Sequence, residues 1–412
     1  MKKIALLFWG ILLPLLSIAQ TWYIPTKGYN IWGQGWTSEI GKLYQRMPSR
    51  LQSSVNAGVW ELSHNSAGLY VRFKTNAQEI TVSYKLKYGA GGYNNIATLN
   101  SSGVDLYARD DEGKTHWLGC NLQWSFGTDI VYTYKGIKPT GMAGKDICEY
   151  QLYFPTYNTV TYFKVGVPDG CSFEYVPVSE EKPIVVYGTS IAQGASASRP
   201  GNAWPEWVGR ILNIPVINLG FSGSAMMELG VFKALSEIDA RLFIIDCIPN
   251  IKTYPAAIVN RTLEGIKALR DSTNAPILLV ESFGCVDKIM THYDDADQEA
   301  DKQLKLAYDA VKTAGYKNVY YLTQEEIGPT EDAQIDGLHP NDLGMKEYTV
   351  AYVKKIQEIF ADQPDAISSV SKGVEARKTN VYNAEGKLVS KNPDFKSAQK
   401  TVYIKKKKKI LR

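Results

Sequence analysis

The chain has 412 residues, of which 44% are hydrophobic and 21% charged. That is long for one domain and holds enough apolar material for more than one core. Its formal net charge is only +4, much of the excess lying in the run 405–409, so charge gives no basis for nucleic-acid binding.

The first element in chain order is a leader. Met1, Lys2 and Lys3 precede an apolar run, 4–16, that is short for a membrane span, and Ser17-Ile18-Ala19 offers small residues for cleavage before Gln20. This is the pattern of a secretory signal, so residues 1–19 are set aside and export is expected. No cysteine stands at the cleavage point, so no lipid anchor is expected there. No later stretch is long and apolar enough to cross a membrane.

Residues 20–180 read as all-β. The segments 68–75 (GLYVRFKT), 79–87 (EITVSYKLK), 104–110 (VDLYARD), 149–155 (EYQLYFP) and 159–167 (TVTYFKVGV) alternate apolar and polar residues. Gly, Asn, Asp and Pro clusters part them, and short strands at such spacing predict a β-sandwich. The 26 Tyr and 9 Trp of the chain suit sheets first and sugar-binding surfaces second.

At Pro183 the style changes. Unbroken apolar runs at 184–188, 214–221, 241–247, 276–282 and 318–324 have the character of strands buried on both faces. Between and after them lie helical-period segments at 203–212, 231–240, 256–272, 295–314 and 342–360. Residues 181–363 are therefore expected to form an α/β domain with a flavodoxin-like parallel sheet, whose ligands bind at the carboxyl ends of the strands. Residues 364–412 form a tail with two short strands around an Ala-Glu-Gly turn and a basic end.

Five cysteines, at 120, 148, 171, 247 and 285, lack Cys-x-x-Cys spacing. Neither a metal cluster nor a disulfide-built scaffold is expected, although export leaves room for one bridge among the first three. Cys247 and Cys285 read as buried thiols, and no cofactor or metal is expected.

The strand at 184 runs into Gly188-Thr189-Ser190. Ser190 reads either as the N-cap of the next helix or as a nucleophile held at a strand end. A nucleophilic serine needs a base, an acid to orient it and donors for an oxyanion. Of the four histidines, His64 and His116 lie in the β-rich part and His292 in a polar loop, whereas His339 stands in IDGLHPND with Asp336 three residues before it. One backbone turn can bring that carboxylate to the imidazole. Gly223, in NLGFSGSA, lacks a side chain that would block its N–H. Asn250, in DCIPNI, carries an amide that either donates to a ligand or bonds its own turn. Glu281 and Arg199 are minor candidates, each with an ordinary capping or pairing alternative.

The order Ser190, Gly223, Asn250, Asp336-x-x-His339 resembles the SGNH (GDSL-type) hydrolase superfamily across 183–360. The resemblance implies Ser190 as nucleophile and His339 as general base and then acid, oriented by Asp336. It also implies an oxyanion hole made by the Ser190 and Gly223 N–H groups and the Asn250 amide. Thr189 replaces the usual Asp of Gly-Asp-Ser, and Asn250 lacks its usual neighbours. Gly103-Val104-Asp105-Leu106-Tyr107 and the segment 197–207 are similar to an exported bacterial branch with a GxDLY-type β-domain. That resemblance implies deacetylation of plant cell-wall polysaccharides such as xyloglucan or xylan. The tail loosely resembles the C-terminal sorting modules of Bacteroidetes secretion. Three readings stand at this point: a secreted carbohydrate O-acetylesterase acting on acetylated polysaccharide, a lipase or lysophospholipase using the same triad, and a glycan-binding protein with an inactive hydrolase fold.

Overall fold

The structure, a computed structural model, describes residues 19–363 apart from 27–28, 41–43, 90–92, 112, 123–125, 139–147 and 285–293, and the strand segments 380–382 and 388–391. All but the last residue of the leader, Cys285, His292 and most of the tail lie outside the described residues. The chain up to Ile359 is one compact unit, and a second unit begins at Phe360.

Among the described residues, ten strands form the first half: β1 (Gln20–Tyr23), β2 (Ile31–Trp32), β3 (Tyr70–Thr75), β4 (Ile80–Leu86), β5 (Asp105–Arg109), β6 (Thr115–Cys120), β7 (Asp129–Tyr134), β8 (Cys148–Tyr153), β9 (Val160–Pro168) and β10 (Phe173–Tyr175). They make two antiparallel sheets, β1-β9-β4-β7 and β10-β3-β8-β5-β6 with β2 on β3. Inward residues of both sheets, among them Phe73, Leu106 and Leu152 from one and Val82, Phe163 and Val165 from the other, share one apolar core. The alternating patterns at 68–75, 79–87, 104–110, 149–155 and 159–167 thus mark the central strands.

This half is not purely β. It also holds helices α1 (Ala57–Ser63) and α2 (Thr98–Ser102). The Asn56 side chain accepts from the Val59 N–H at 2.8 Å and starts α1 as an N-cap. Val59, with Trp36, Ile40, Met47 and Leu51, packs into the core of the following α/β region rather than into the sandwich.

That region contains β11 (Ile184–Gly188), β12 (Val216–Gly220), β13 (Leu242–Asp246), β14 (Ile277–Val280) and β15 (Val319–Leu322), all parallel, in the order β12-β11-β13-β14-β15. Every residue of β11 to β14 is buried, as the unbroken apolar runs require. This is flavodoxin-like order, with the chain reversing direction of winding beside β11. Around the sheet run α3 (Ser190–Gln193), α4 (Trp204–Leu212), α5 (Leu229–Leu235), α6 (Ile248–Ile251), α7 (Pro255–Arg270), α8 (Asp294–Thr313), α9 (Gln324–Ile327) and α10 (Asp342–Ala361). The helix expected over 231–240 ends early, at Leu235.

Cys120, Cys171 and Cys247 are free thiols, so neither Cys120 nor Cys171 takes part in the bridge for which export leaves room. Among the described residues, no helix is long and apolar enough to cross a membrane. In the second unit, Asn380–Tyr382 pairs antiparallel with Leu388–Lys391, where the sequence predicts two short strands.

Candidate active site

Strand register brings the site together. Gly188 at the end of β11 pairs with Gly220 of β12 on one side and Asp246 of β13 on the other. The residues after these three, Thr189–Ser190, Phe221–Gly223 and Cys247–Asn250, therefore leave the sheet side by side at its carboxyl edge. A Cβ on Gly220 would lie 2.3 Å from the Gln193 backbone N, so only glycine lets α3 pack this closely on β12.

Thr189, not Ser190, caps α3: its hydroxyl accepts from the Ile191 N–H at 3.3 Å. Ser190 is the first residue of the helix, 7% exposed, and its Oγ lies 2.8 Å from His339 Nε2. His339 Nδ1 lies 2.7 Å from Asp336 Oδ2. An ionised carboxylate only accepts, so Nδ1 carries the ring proton and Nε2 is left to accept from the serine hydroxyl.

The Asp336 loop is built to hold this arrangement. Gly337 turns the chain at φ +79°, and Asp336 Oδ1 accepts the Leu338 and His339 N–H groups at 3.1 and 2.7 Å. The His339 carbonyl accepts the Ile335 N–H at 3.0 Å, and the Asn341 side chain then caps α10 through the Leu343 N–H at 3.0 Å. Burial alone would raise the Asp336 pKa, but the backbone N–H and imidazole of His339 and the Asn95 amide hold it below the usual carboxylate range. Asp336 is thus an anion at neutral pH.

Three N–H sources lie on the segments that leave the sheet side by side at this edge. The Ser190 N–H is at a helix start and has no intrahelical partner. Gly223, at φ +65°, has open space where a Cβ would stand, and among the described residues its N–H has no hydrogen-bond partner. Asn250 donates one amide hydrogen to the Phe221 carbonyl at 3.2 Å, which keeps the second hydrogen available and the amide oriented. The loop carrying Gly223 is tied to α3, since the Ser222 N–H donates to Gln193 Oε1 at 3.0 Å.

The β-rich half supplies residues that the sequence does not reveal. Asn95 Nδ2 donates to Asp336 Oδ2 at 2.8 Å and lies 3.2 Å from His339 Nδ1. The Tyr157 hydroxyl donates to the Ser190 carbonyl at 3.3 Å, and Asn100 donates to the Gly194 carbonyl at 2.6 Å. Arg46, fully buried, donates to the carbonyls of Asn218, Gly220, Leu62 and Asn65 at 2.7 to 3.1 Å, bracing the end of β12. Burial pulls its pKa down to about 9, still above neutrality.

The two motifs of the sequence meet here. Asp105 accepts from Arg199 Nη1 at 2.6 Å, the Gly201 N–H at 3.0 Å and Trp117 Nε1 at 2.8 Å. Arg199 therefore pairs internally instead of facing a ligand. Glu281 accepts the Tyr321 hydroxyl at 2.8 Å and the Gln324 N–H at 2.6 Å, the capping alternative. His64 is taken up by the carbonyls of Trp60 and Glu61, and His116 by Asp110. Among the described residues, no group of three or more His, Cys, Asp and Glu is placed to hold a metal ion.

A polar cavity of about 400 Å³ opens beside Gly223, lined by Asn56, Glu228, Tyr254 and Arg261 among others. Tyr254 and Tyr93 are 61% and 54% exposed, and the Tyr93 ring lies 5.7 Å from that of Tyr157.

Residues 181–357 match the GDSL-like lipase/acylhydrolase family, and residues 20–173 match GxDLY, the N-terminal domain of SGNH-hydrolase-type esterases. Among solved structures, a GDSL-like lipase from Bacteroides ovatus is 28% identical, covers 83% of this chain and 98% of its own, and superposes with a TM-score of 0.75. The salicylyl-acyltransferase SsfX3 of a tetracycline biosynthetic pathway has the same coverage, 83% and 98%, at 15% identity and a TM-score of 0.66, and shares the fold. No curated protein matches.

Proposed function

We propose, from the match of residues 181–357 to the GDSL-like lipase/acylhydrolase family, that this protein is an exported serine esterase that removes O-acetyl groups from plant cell-wall polysaccharide such as xyloglucan or xylan. The observation that carries the reading is the unbroken chain Ser190 Oγ, His339 and Asp336, with contacts of 2.8 and 2.7 Å. His339 takes the Ser190 proton as Oγ attacks the ester carbonyl, and the oxyanion is met by the Ser190 and Gly223 N–H groups and the Asn250 amide. Collapse breaks the bond to the sugar oxygen, which takes the proton from His339 and leaves as a hydroxyl, with acetyl on Ser190. Water, deprotonated by His339, then releases acetate and restores the serine.

The substrate class is supported by the surroundings. The cavity beside Gly223 is walled by amide, carboxylate, phenol and guanidinium groups, which suit a hydroxyl-rich ligand better than a long acyl chain. The exposed faces of Tyr93 and Tyr254 suit stacking on pyranose rings. Export rests on the leader pattern at 1–19.

Acetate release from acetylated xyloglucan, acetylated xylan and a short aryl acetate tests the proposal, wild type beside Ser190→Ala. Release from a polysaccharide, lost by several orders of magnitude in the variant, is expected. Aryl-ester cleavage alone keeps the triad and removes the substrate class. Faster cleavage of long-chain esters moves the reading to a lipase, and inactivity on every ester moves it to a glycan-binding protein.

A further inference from the structure

We infer that Asn95 is a positioning residue for the acid–base pair, so that the β-rich half completes the catalytic apparatus and is more than a neighbouring binding module. This rests on the triad roles proposed above. Asp336 Oδ2 is shared by His339 Nδ1 at 2.7 Å and Asn95 Nδ2 at 2.8 Å. The amide must present its nitrogen, because the reverse orientation would set two acceptor oxygens 2.8 Å apart with no proton between them.

The remaining partners of Asp336, the Leu338 and His339 N–H groups, belong to its own loop. Among the described residues Asn95 is therefore the anchor that holds this carboxylate from outside. Asn95 is itself fixed to the segment that carries the nucleophile. Its carbonyl accepts the Ser196 hydroxyl at 2.8 Å. Two residues earlier Tyr93 packs on Tyr157, whose hydroxyl donates to the Ser190 carbonyl at 3.3 Å. One short loop thus grips the serine segment and the histidine loop together, and sets how Nε2 meets Oγ.

Electrostatics follow from the same contact. The amide dipole withdraws charge from Oδ2, moderating the pull of the carboxylate on the imidazolium that forms during reaction. Among the described residues, the charged group hydrogen-bonded to the ring is Asp336; its neutral partners are Asn95 at Nδ1 and Ser190 at Nε2.

The test compares wild type with Asn95→Ala and Asn95→Asp on a short aryl acetate across pH, with thermal midpoints of all three. Asn95→Ala is expected to lower kcat roughly 10- to 100-fold, the worth of a hydrogen bond to a charged group, with KM changed by less than about threefold. Asn95→Asp keeps the shape but sets a second carboxylate against Asp336 at the contact of 2.8 Å, and wherever both are ionised the imidazole faces two negative charges in place of one. The acid limb of its pH–rate profile is expected to move to higher pH, because added negative charge favours the protonated ring. An unchanged kcat in Asn95→Ala overturns the inference, as does a loss that merely follows a lowered thermal midpoint while the acid limb in Asn95→Asp stays in place. If the wild type cleaves no ester, the esterase reading fails on its own. The imidazole signal of His339, titrated by NMR in wild type and Asn95→Asp, then decides this inference: an upward displacement supports it and coincident curves overturn it.

Discussion

Replacing Asp105 by Ala should destabilise the compact unit by about 3 kcal/mol, near the lower end of the range for breaking one partner out of a buried ion pair. The Asp105 side chain is fully buried and holds three donors, of which Arg199 at 2.6 Å is charged. Removing the carboxylate leaves the guanidinium, only 16% exposed, without its counter-ion. The low end applies because Arg199 keeps the Tyr107 hydroxyl and the Trp117 ring face 4.5 Å away. Asp105→Asn keeps the volume and one acceptor, so about half that loss is expected. Asp105→Leu combined with Arg199→Met should cost less than the sum of the single changes, since no charge is then left unpaired. Urea unfolding of wild type, Asp105→Leu, Arg199→Met and the double variant measures this cycle, and Asp105→Ala and Asp105→Asn are unfolded beside them. A loss under about 1 kcal/mol in Asp105→Ala, or strictly additive single effects, would show that the motif is an ordinary strand after a glycine turn.

Two other sites give independent expectations. Asn250→Ala should lower kcat on an aryl acetate about 10²- to 10³-fold with little change in KM, as loss of one oxyanion donor does; a loss below threefold removes Asn250 from the hole. Asp246, in register with Gly188 and fully buried, has its pKa pushed up to about 7 by burial, partly offset by the Tyr352 hydroxyl. Its folded pKa stands above the unfolded value near 3.8, so the folded state binds the proton more tightly and stability falls as pH rises from about 4 to about 7. Asp246→Asn cannot ionise. Its stability relative to wild type should therefore increase by about 2 kcal/mol or more between pH 5 and pH 8 in urea unfolding. A difference that does not vary with pH refutes the assignment.

Much of this arrangement is legible in the residues because it is local or periodic. Buried parallel strands are unbroken apolar runs, and the long helices show their period, so β11 to β15 and α7, α8 and α10 fall within a few residues of expectation. Asp336 and His339 are close in sequence, and a three-residue spacing carries its own geometry. Asn95 and Arg46 carry no such signal. Asn95 meets Asp336 across 241 residues and Arg46 meets the Asn218 carbonyl across 172, and nothing in the flanking GGYNNIATLN or YQRMPS marks either. Helix α1 was equally hidden. Its apolar residues serve a core built mostly by residues far along the chain, so its neighbours in sequence predict the wrong class.

The capping role that the sequence offers Ser190 falls to its neighbour. A helix that begins directly after a strand needs an oxygen to receive its first N–H groups. Thr189 supplies that oxygen to Ile191, where the family's usual aspartate would bring a charge into a position that is fully buried here. Threonine satisfies the same donor without a charge. Because the cap lies one residue earlier, the Ser190 hydroxyl is left for His339 and the Ser190 N–H is left unpaired at the start of the helix. At Gly223, in a left-handed turn with open space where a Cβ would stand, a second N–H has no hydrogen-bond partner among the described residues. Two donors of the proposed oxyanion hole are therefore backbone N–H groups without a partner among the described residues, and the third, the Asn250 amide, has one of its two hydrogens taken by the Phe221 carbonyl. Burying such donors without a partner costs stability, and the Tyr157, Asn100 and Arg46 contacts from the β-rich half brace the Ser190, Gly194 and Gly220 carbonyls on the segments around those donors.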